Sequence, residues 1–279
     1  MAHEVRALDG RSINQLRQIT QRDPVRYCYV DSRLSASSNS FFRNPYADFL
    51  GYFDDGHLKS AVLLGANVVP INTTSIARQE FAEVLRRQGR RCSSIVGPQI
   101  ETLELWDHIS PSWGSARDIR HAQPLMAIDR RPDGEFDNEV RYATLSDLDA
   151  LFPACVDMFT QEVGVSPVAN GGGPAYRNRI SELITSRRSF VRTEKGEVIF
   201  KAEVGAIGNG VAQIQGVWVH PKHRGQGLAV PAMASVIAKT LDDIAPTVSL
   251  YVNEFNTAAI ATYQRVGFKA VDTFSTVLF

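Results

Sequence analysis

The segment that most constrains the fold runs from Gln213 to Ala229 and changes character twice. It begins as a β-branched and aromatic run that breaks at Pro221, and it continues through a basic turn with Gly225 and Gly227. Apolar residues then recur at helical spacing, at Val230, Met233, Ile237 and Leu241. The pattern predicts a strand, a loop and a helix. Because the first N–H groups of a helix lack intrahelical acceptors, this loop is suited to bind an anion such as a pyrophosphate.

The loop residues and two later elements carry a family resemblance. Residues Arg224 to Ala229 read Arg-Gly-Gln-Gly-Leu-Ala, which matches the Arg/Gln-x-x-Gly-x-Gly/Ala signature of the GNAT superfamily of acyl-CoA-dependent N-acyltransferases. A predicted strand, Thr247 to Asn253, follows, and then a helix that starts at Asn256 and contains Tyr263 before a Gly-Phe pair. These three matches occur in the family's order. The resemblance is specific over about Val140 to Phe279, and only topological before that.

The resemblance implies an α/β (α+β) fold, with a mixed, mostly antiparallel sheet flanked by helices. The two halves repeat one order of elements, so we expect tandem GNAT folds. We place a degenerate GNAT-like domain at residues 1–130, a charged, turn-rich linker at 131–138 and the catalytic domain at 139–279. The layout resembles two-domain family members such as mycothiol synthase, and actinobacterial members that carry an uncharacterised N-terminal region.

The first half contains the predicted strand Asn67 to Ile71 and the predicted helix Ser75 to Gln88. Where the second half has its glycine loop, the first half has Pro70 to Ser75, with no glycine and no basic residue. We expect Thr73, Thr74 and Ser75 to cap the helix there and not to bind phosphate. Near the end of the chain the pattern predicts two more strands, Phe268 to Val271 and Phe274 to Leu278.

The resemblance also implies a cosubstrate, acetyl-CoA (coenzyme A), and no metal. The acyl thioester would lie where the sheet splays open between the Gln213–Val219 strand and the Thr247–Asn253 strand. The residues implied to bind it are Val217, Trp218 and Val219 for the pantetheine amides, and Arg224, Gly225, Gln226, Gly227, Leu228 and Ala229 for the pyrophosphate. Asn256 is a further candidate, for the pantetheine arm or as a helix cap, and Ala259 is small where the cosubstrate should pass.

In the family the tyrosine at the position of Tyr263 gives a proton to the departing thiolate, although packing beside Phe268 is the alternative interpretation. Many members carry a glutamate, the general base, six residues before the terminal valine of the strand, where this chain has Gln213. An amide cannot act as a base, but it can orient a water or the acceptor. The candidates to replace it are Glu203, Glu254 and His220, with solvent as a fourth possibility.

The amino-acid composition argues against some classes of binding partner. The chain of 279 residues has 30 Lys plus Arg and 30 Asp plus Glu, a balance that argues against a nucleic-acid platform. No apolar run has the length of a membrane span, no leader is visible, and Cys28, Cys92 and Cys155 lack metal spacing, so we expect a cytoplasmic protein.

Asp157 and Glu162 are candidates to attract a cationic amine, and Gly171 to Gly173 to let a loop close. The oligomeric state stays open.

The sequence thus predicts an acetyl-CoA-dependent N-acetyltransferase in which the C-terminal domain is active. The acceptor is an amine, on a small molecule or on a peptide or protein, and no pattern separates these classes. Two other functions stay open: a non-catalytic acyl-CoA-binding or regulatory protein, and a transferase of a longer acyl or aminoacyl group.

Overall fold

The computed structural model describes residues 3–38 and 48–279. The chain divides into two compact units. Unit 1 comprises Met1–Met126, Tyr251–Asn256 and Ala270–Phe279, and unit 2 comprises Ala127–Leu250 and Thr257–Lys269. The last strand of the chain is therefore grouped in the same unit as the N-terminal part of the chain.

The strands are β1 (His3–Ala7), β2 (Asp48–Asp54), β3 (His57–Leu64), β4 (Asn67–Ile71), β5 (Ser94–Pro98), β6 (Asp118–Ile128), β7 (Arg141–Tyr142), β8 (Ser189–Glu194), β9 (Glu197–Gly208), β10 (Val211–Val219), β11 (Thr247–Tyr251) and β12 (Lys269–Leu278). The helices are α1 (Gly10–Thr20), α2 (Cys28–Ser38), α3 (Ser75–Gln88), α4 (Gln99–Trp113), α5 (Leu148–Val163), α6 (Gly173–Thr185), α7 (Ala229–Asp243) and α8 (Thr257–Val266). Across the described ranges, no helix combines the length and the apolarity that a membrane crossing needs.

The sheet of unit 1 has the order β1-β2-β3-β4-β5-β12-β6. Strands β4 and β5 are parallel, whereas β12 runs antiparallel to β5, with Phe274 opposite Pro98 and Leu278 opposite Ser94. Val277 of β12 is fully buried in a core that includes Phe81 of α3 and Leu105 of α4. The last strand is thus part of the hydrophobic core of unit 1.

The sheet of unit 2 has the order β11-β10-β9-β8-β7. The β10–β11 pair is parallel and the other pairs are antiparallel. Helices α5 and α6 cover one face through a core formed by Leu151, Cys155, Ile180, Val191 and Trp218. The predicted mixed, mostly antiparallel α/β architecture is confirmed.

The predicted strand Asn67 to Ile71 and helix Ser75 to Gln88 have the observed bounds. Two local predictions were wrong. The two strands predicted near the end of the chain are one continuous strand, β12. The last of the glycines expected to let a loop close, Gly173, is the first residue of α6, because Pro174 is well suited to the first turn of a helix.

We expect Val277→Ala to weaken unit 1, since it leaves a cavity where β12 meets α3 and α4. The free energy of unfolding should fall by about 1–3 kcal/mol. Amide hydrogen exchange would locate the effect, with β5 losing protection while β8 keeps it. Val271→Ala is the matched control, because Val271 lies on the same strand and is 55% exposed. Equal effects of the two substitutions would contradict the assignment of β12 to this core.

Candidate active site

The loop between β10 and α7 presents unpaired backbone donors. Helix α7 begins at Ala229 without a side-chain cap. The N–H groups from Gly225 to Ala229 have no acceptor among the residues that the structure describes. Gly225 and Gly227 have φ angles of +72° and +81°, and nothing lies within 4 Å of a Cβ added at either. The loop therefore offers free donors and open space at a helix N-terminus, which is the geometry that binds phosphate groups.

The Arg224 side chain holds this loop in place through two hydrogen bonds. Its Nε donates to the Val219 carbonyl at 2.9 Å, and its Nη2 donates to Oε1 of Gln161 on α5 at 3.0 Å. Gln226 likewise turns back, and its side-chain amide donates to the Lys222 carbonyl at 2.7 Å. Both side chains thus shape the loop. The backbone N–H groups, through which sequence analysis expected this segment to hold the pyrophosphate, are the donors left for an anion from Gly225 onward.

Next to the loop, β10 has an open edge. Its parallel pairing with β11 runs from Val211–Thr247 only to Gln213–Ser249, while β10 itself continues to Val219 beside β9. Within the described part of unit 2, the edge from Ile214 onward has no strand partner on the β11 side. An extended molecule with amide groups can pair with such an edge as an added strand would.

The open edge contains a bulge. The β9–β10 register shifts between Gln215 and Trp218, and Gly216 in this stretch has a φ of +61°. Trp218 turns its side chain into the core and is 5% exposed, so only its backbone is available to a ligand. Val217 and Val219 are half-buried on the same edge. Sequence analysis assigned all three to the pantetheine arm, and that assignment stays a prediction.

Tyr263 is a buried residue of α8. It is 7% exposed, and its ring lies 5.9 Å from that of Phe268 in an edge-to-face arrangement. Burial raises the pKa of its phenol, and the negative charge of Glu162 on α5 raises it further. No described residue forms a hydrogen bond with its hydroxyl. Tyr263 therefore both packs, as the alternative interpretation held, and keeps a protonated hydroxyl without a fixed partner.

Two other predicted residues lie at the start of the same helix. Ala259 is one turn before Tyr263 and half-buried, which places both on one face of α8. Asn256 directly precedes α8, and its N–H donates to the Asn253 carbonyl at 2.9 Å. Asn256 is grouped with unit 1 and Ala259 with unit 2. Their contacts with a cosubstrate stay predictions.

The four residues considered in connection with the base have different surroundings. Gln213 is 9% exposed and lies where the β10–β11 pairing ends. His220 has its Nδ1 occupied, because it accepts the backbone N–H of the second residue after it at 3.2 Å. Glu254 is exposed and grouped with unit 1. Glu203 is 5% exposed, in the middle of β9, and it is the one carboxylate of the four that is buried in unit 2.

Sequence reasoning missed the partner of Glu203. Lys201, two residues earlier on β9, is fully buried, and its Nζ donates to Oε1 of Glu203 and to Sγ of Cys155, the latter at 3.3 Å. The signal was present, since the two charged residues stand two apart in an apolar strand and so share one face. Buried charges almost always pair, and this rule would have linked them.

In unit 1 the turn before α3 corresponds to this loop, and a side-chain carboxylate is already bonded to it. The Thr73 N–H and hydroxyl both donate to Oε2 of Glu101 at 2.7 Å, and Thr74 caps α3 by accepting the Ala77 N–H at 3.2 Å. Arg78, which is 5% exposed, also donates to the Thr73 hydroxyl oxygen, at 3.1 Å. The carboxylate of Glu101 thus takes the place at the N-terminus of α3 that an anionic ligand would need.

Two family models match the chain. Residues 47–151 match a domain of unknown function, DUF4081. Residues 161–268 match the acetyltransferase (GNAT) family, and this range includes β10, the loop, α7 and Tyr263. This part of the chain is therefore similar to the GNAT acetyltransferase family, as the loop signature indicated. That family transfers an acyl group from an acyl-CoA to an amine.

The whole chain also has the fold of solved GNAT proteins. A GCN5-related N-acetyltransferase from Sphaerobacter thermophilus has a TM-score of 0.62 at 15% identity, over 98% of this chain and 94% of that one. A tandem GNAT protein from the clavulanic acid biosynthesis pathway has a TM-score of 0.59 at 15% identity, over 99% and 98%. An acetyltransferase of the GNAT family from Colwellia psychrerythraea has a TM-score of 0.58 at 13% identity, over 99% of both. No curated protein matches. At these identities the likeness concerns the fold, which is that of a tandem GNAT protein.

We expect Gly227→Val to weaken acetyl-CoA binding about tenfold or more, because a side chain there enters the space beside the free N–H groups. Calorimetry would measure the dissociation constant. Gly196→Val is the matched control, since Gly196 has a φ of +83° in the β8–β9 turn and is equally open. Both variants should lose about 1–3 kcal/mol of stability from backbone strain. Unchanged affinity of the Gly227 variant would contradict a phosphate-binding role for the loop.

Glu101→Ala should destabilise unit 1 by about 1–3 kcal/mol, because Thr73 loses the acceptor for two donors. Acetyl-CoA affinity should stay unchanged. Thermal or urea unfolding and calorimetry would measure the two effects. The control is Glu83→Ala, which removes a 53% exposed side chain of α3 and should change stability by about 0.5 kcal/mol at most. A Glu101 variant as stable as the control would refute the structural role of this carboxylate.

Proposed function

We propose that this protein is an acetyl-CoA-dependent N-acetyltransferase that acts on a primary amine, with the chemistry in unit 2. The observation that carries the proposal is that two unpaired features are adjacent along the chain. They are the open edge of β10 from Ile214 to Val219 and the free N–H groups at Gly225–Ala229. A phosphate-binding loop at the end of an unpaired strand edge suits a ligand that has both a pyrophosphate and a chain of amides, and acetyl-CoA has both.

In the proposed complex the backbone groups of Val217 and Val219 pair with the pantetheine amides, and the N–H groups from Gly225 to Ala229 hold the pyrophosphate. Trp218 contributes its backbone only, since its side chain belongs to the core. Arg224 keeps the loop in place through Val219 and Gln161. Acetyl is the proposed acyl group, because the cosubstrate named by the family resemblance is acetyl-CoA.

The proposed reaction is a direct transfer. The amine nitrogen attacks the thioester carbonyl, a carbon–nitrogen bond forms, and the carbon–sulfur bond breaks with its electron pair on sulfur. Backbone N–H groups near the β10 bulge stabilise the developing oxyanion. Tyr263 protonates the thiolate, and its burial favours this role, because a raised pKa keeps the phenol protonated at neutral pH.

The experiment that tests the proposal measures release of free CoA thiol from acetyl-CoA over a panel of small amines and peptides, after calorimetry has established binding. Amine-dependent release, with an acetylated product seen by mass spectrometry, is the expected result. Tight binding without release on any amine would instead favour the acyl-CoA-binding or regulatory function. Release only from longer acyl-CoA or aminoacyl donors would correct the proposed acyl group.

We expect Tyr263→Phe to lower kcat about 100-fold or more and to leave acetyl-CoA affinity within about twofold, since only the proton donor is removed. Steady-state kinetics and calorimetry would separate the two effects. Tyr142→Phe is the control, because Tyr142 also lies in unit 2 and its hydroxyl donates to Asp243 at 2.9 Å, outside the proposed site. If kcat is equal in the two variants, Tyr263 serves packing alone.

A further inference from the structure

A buried cluster of polar side chains lies behind the open edge of β10. Lys201 and Glu203 share one face of β9, and Cys155 on α5 contacts both, with its thiol 3.5 Å from Oε1 of Glu203. Lys201 is fully buried and Glu203 is 5% exposed. Such a pair is weak evidence for stability, because burial of two charges costs free energy that an apolar pair would not lose. The pair therefore points to a role other than stability.

The cluster as a whole carries no net charge. Burial raises the pKa of the Cys155 thiol to about 12, so the thiol stays neutral. Tyr176 of α6 donates its hydroxyl to the Cys155 carbonyl at 3.0 Å, and burial raises the pKa of that phenol too. Of the strand residues paired with Lys201 and Glu203, Ser189, Val191, Gln215 and Trp218, none is charged. The Lys201 ammonium and the Glu203 carboxylate thus balance each other.

The two oxygens of Glu203 have different roles. Oε1 receives the Lys201 ammonium and the Cys155 thiol. Oε2 receives no hydrogen bond from any residue in the described ranges and lies 3.2 Å from the position of a Cβ added to Gly216. Gly216 is the bulge residue on the stretch of β10 that lacks a β11 partner. One acceptor oxygen therefore lies against the bulge at Gly216, which has no side chain of its own, next to the Met158 methyl group at 3.1 Å from the same Cβ position.

We propose that Oε2 of Glu203 binds the acceptor amine at the β10 bulge and takes its proton, that Lys201 is the positioning residue, and that the acceptor binds as the uncharged amine. This inference rests on the proposed function and names the acceptor class for the same site. Because Lys201 already neutralises Glu203, this carboxylate offers no unpaired negative charge to a second cation. An uncharged amine only donates a hydrogen bond.

The proton balance is complete without another reactant. The amine leaves its extra proton in solvent on binding and donates one N–H to Oε2. As the nitrogen bonds to the acetyl carbon and the thiolate departs, the nitrogen loses that second proton to Oε2, while Tyr263 gives its proton to sulfur. Glu203 later returns its proton to solvent, and Tyr263 regains one.

The acceptor class follows from the amine's own acidity. An α-amino group has a pKa of about 8 and a lysine ε-amino group about 10.4, so far more of the former is uncharged at pH 7. The site should therefore prefer α-amino groups, such as a peptide N-terminus, over lysine side chains and polyamines. At pH 7 the preference in kcat/KM should be about 100-fold or more, in line with the uncharged fractions.

The test is calorimetry in buffers of different ionisation enthalpy, which counts the protons released when an amine binds. The probe is a short peptide with a free N-terminus, added to protein saturated with a non-transferable thioether analogue of acetyl-CoA. Wild type should release about one proton per peptide bound at pH 7. In Lys201→Met the unpaired Glu203 attracts the ammonium form, so release should fall towards zero. Release near zero in wild type would overturn the inference, even if the enzyme turns over.

A double variant and its control separate a loss of catalysis from a loss of folding. Lys201→Met/Glu203→Gln removes both charges at nearly the same volume, so its melting temperature should be close to that of wild type. It should still release about one proton on binding but lose about 100-fold or more in kcat, because an amide accepts no proton. Lys269→Met, which removes an exposed lysine at the start of β12, is the control and should change neither quantity. Unchanged kcat in the double variant would refute the role of Glu203.

Failure of the proposed function would look different. In that case thiol release would be absent for every amine, while the proton count on binding, and its dependence on Lys201, would still report on the amine site.

Discussion

The site depends on the point where β10 loses β11 as its partner, after Gln213. Backbone N–H and C=O groups inside a protein are almost always paired, so an open strand edge requires a ligand or water to satisfy it. The edge begins at Ile214 and ends at Val219, and the free N–H groups of the next loop follow within a few residues. An unpaired edge and an uncapped helix are thus consecutive along the chain, which gives a long ligand two kinds of donor in one line.

The N-terminus of the corresponding helix has a carboxylate beside it in unit 1 and is open in unit 2. In unit 1, Glu101 supplies a carboxylate to Thr73 at the start of α3, so the positive end of the helix dipole already has its anion. In unit 2, Gly225 and Gly227 leave the start of α7 open, and Arg224 turns back onto the strand end. The same electrostatic preference therefore stabilises the fold in one unit and remains available for a ligand in the other.

The elements around the site could be predicted because their signals are local. The β-branched run up to Val219, the glycines of the loop and the helix with Tyr263 each lie within a short window. The pairing of β12 with β5 could not be predicted, since an alternating strand pattern does not specify which distant strand it joins. The Lys201–Glu203 pair lay between these cases. Its spacing on β9 indicated a shared face, but only the packing of α5 shows that this face is buried.

The two residues proposed to move protons are buried beside groups of opposite charge. Tyr263 is buried with the negative charge of Glu162 nearby, so its pKa rises and it holds its proton. Glu203 is equally buried, and the Lys201 ammonium donates to one of its oxygens. One environment thus suits a proton donor and the other a proton acceptor. The two side chains are buried to a similar extent, so the difference between their proposed roles lies in the charged group beside each of them.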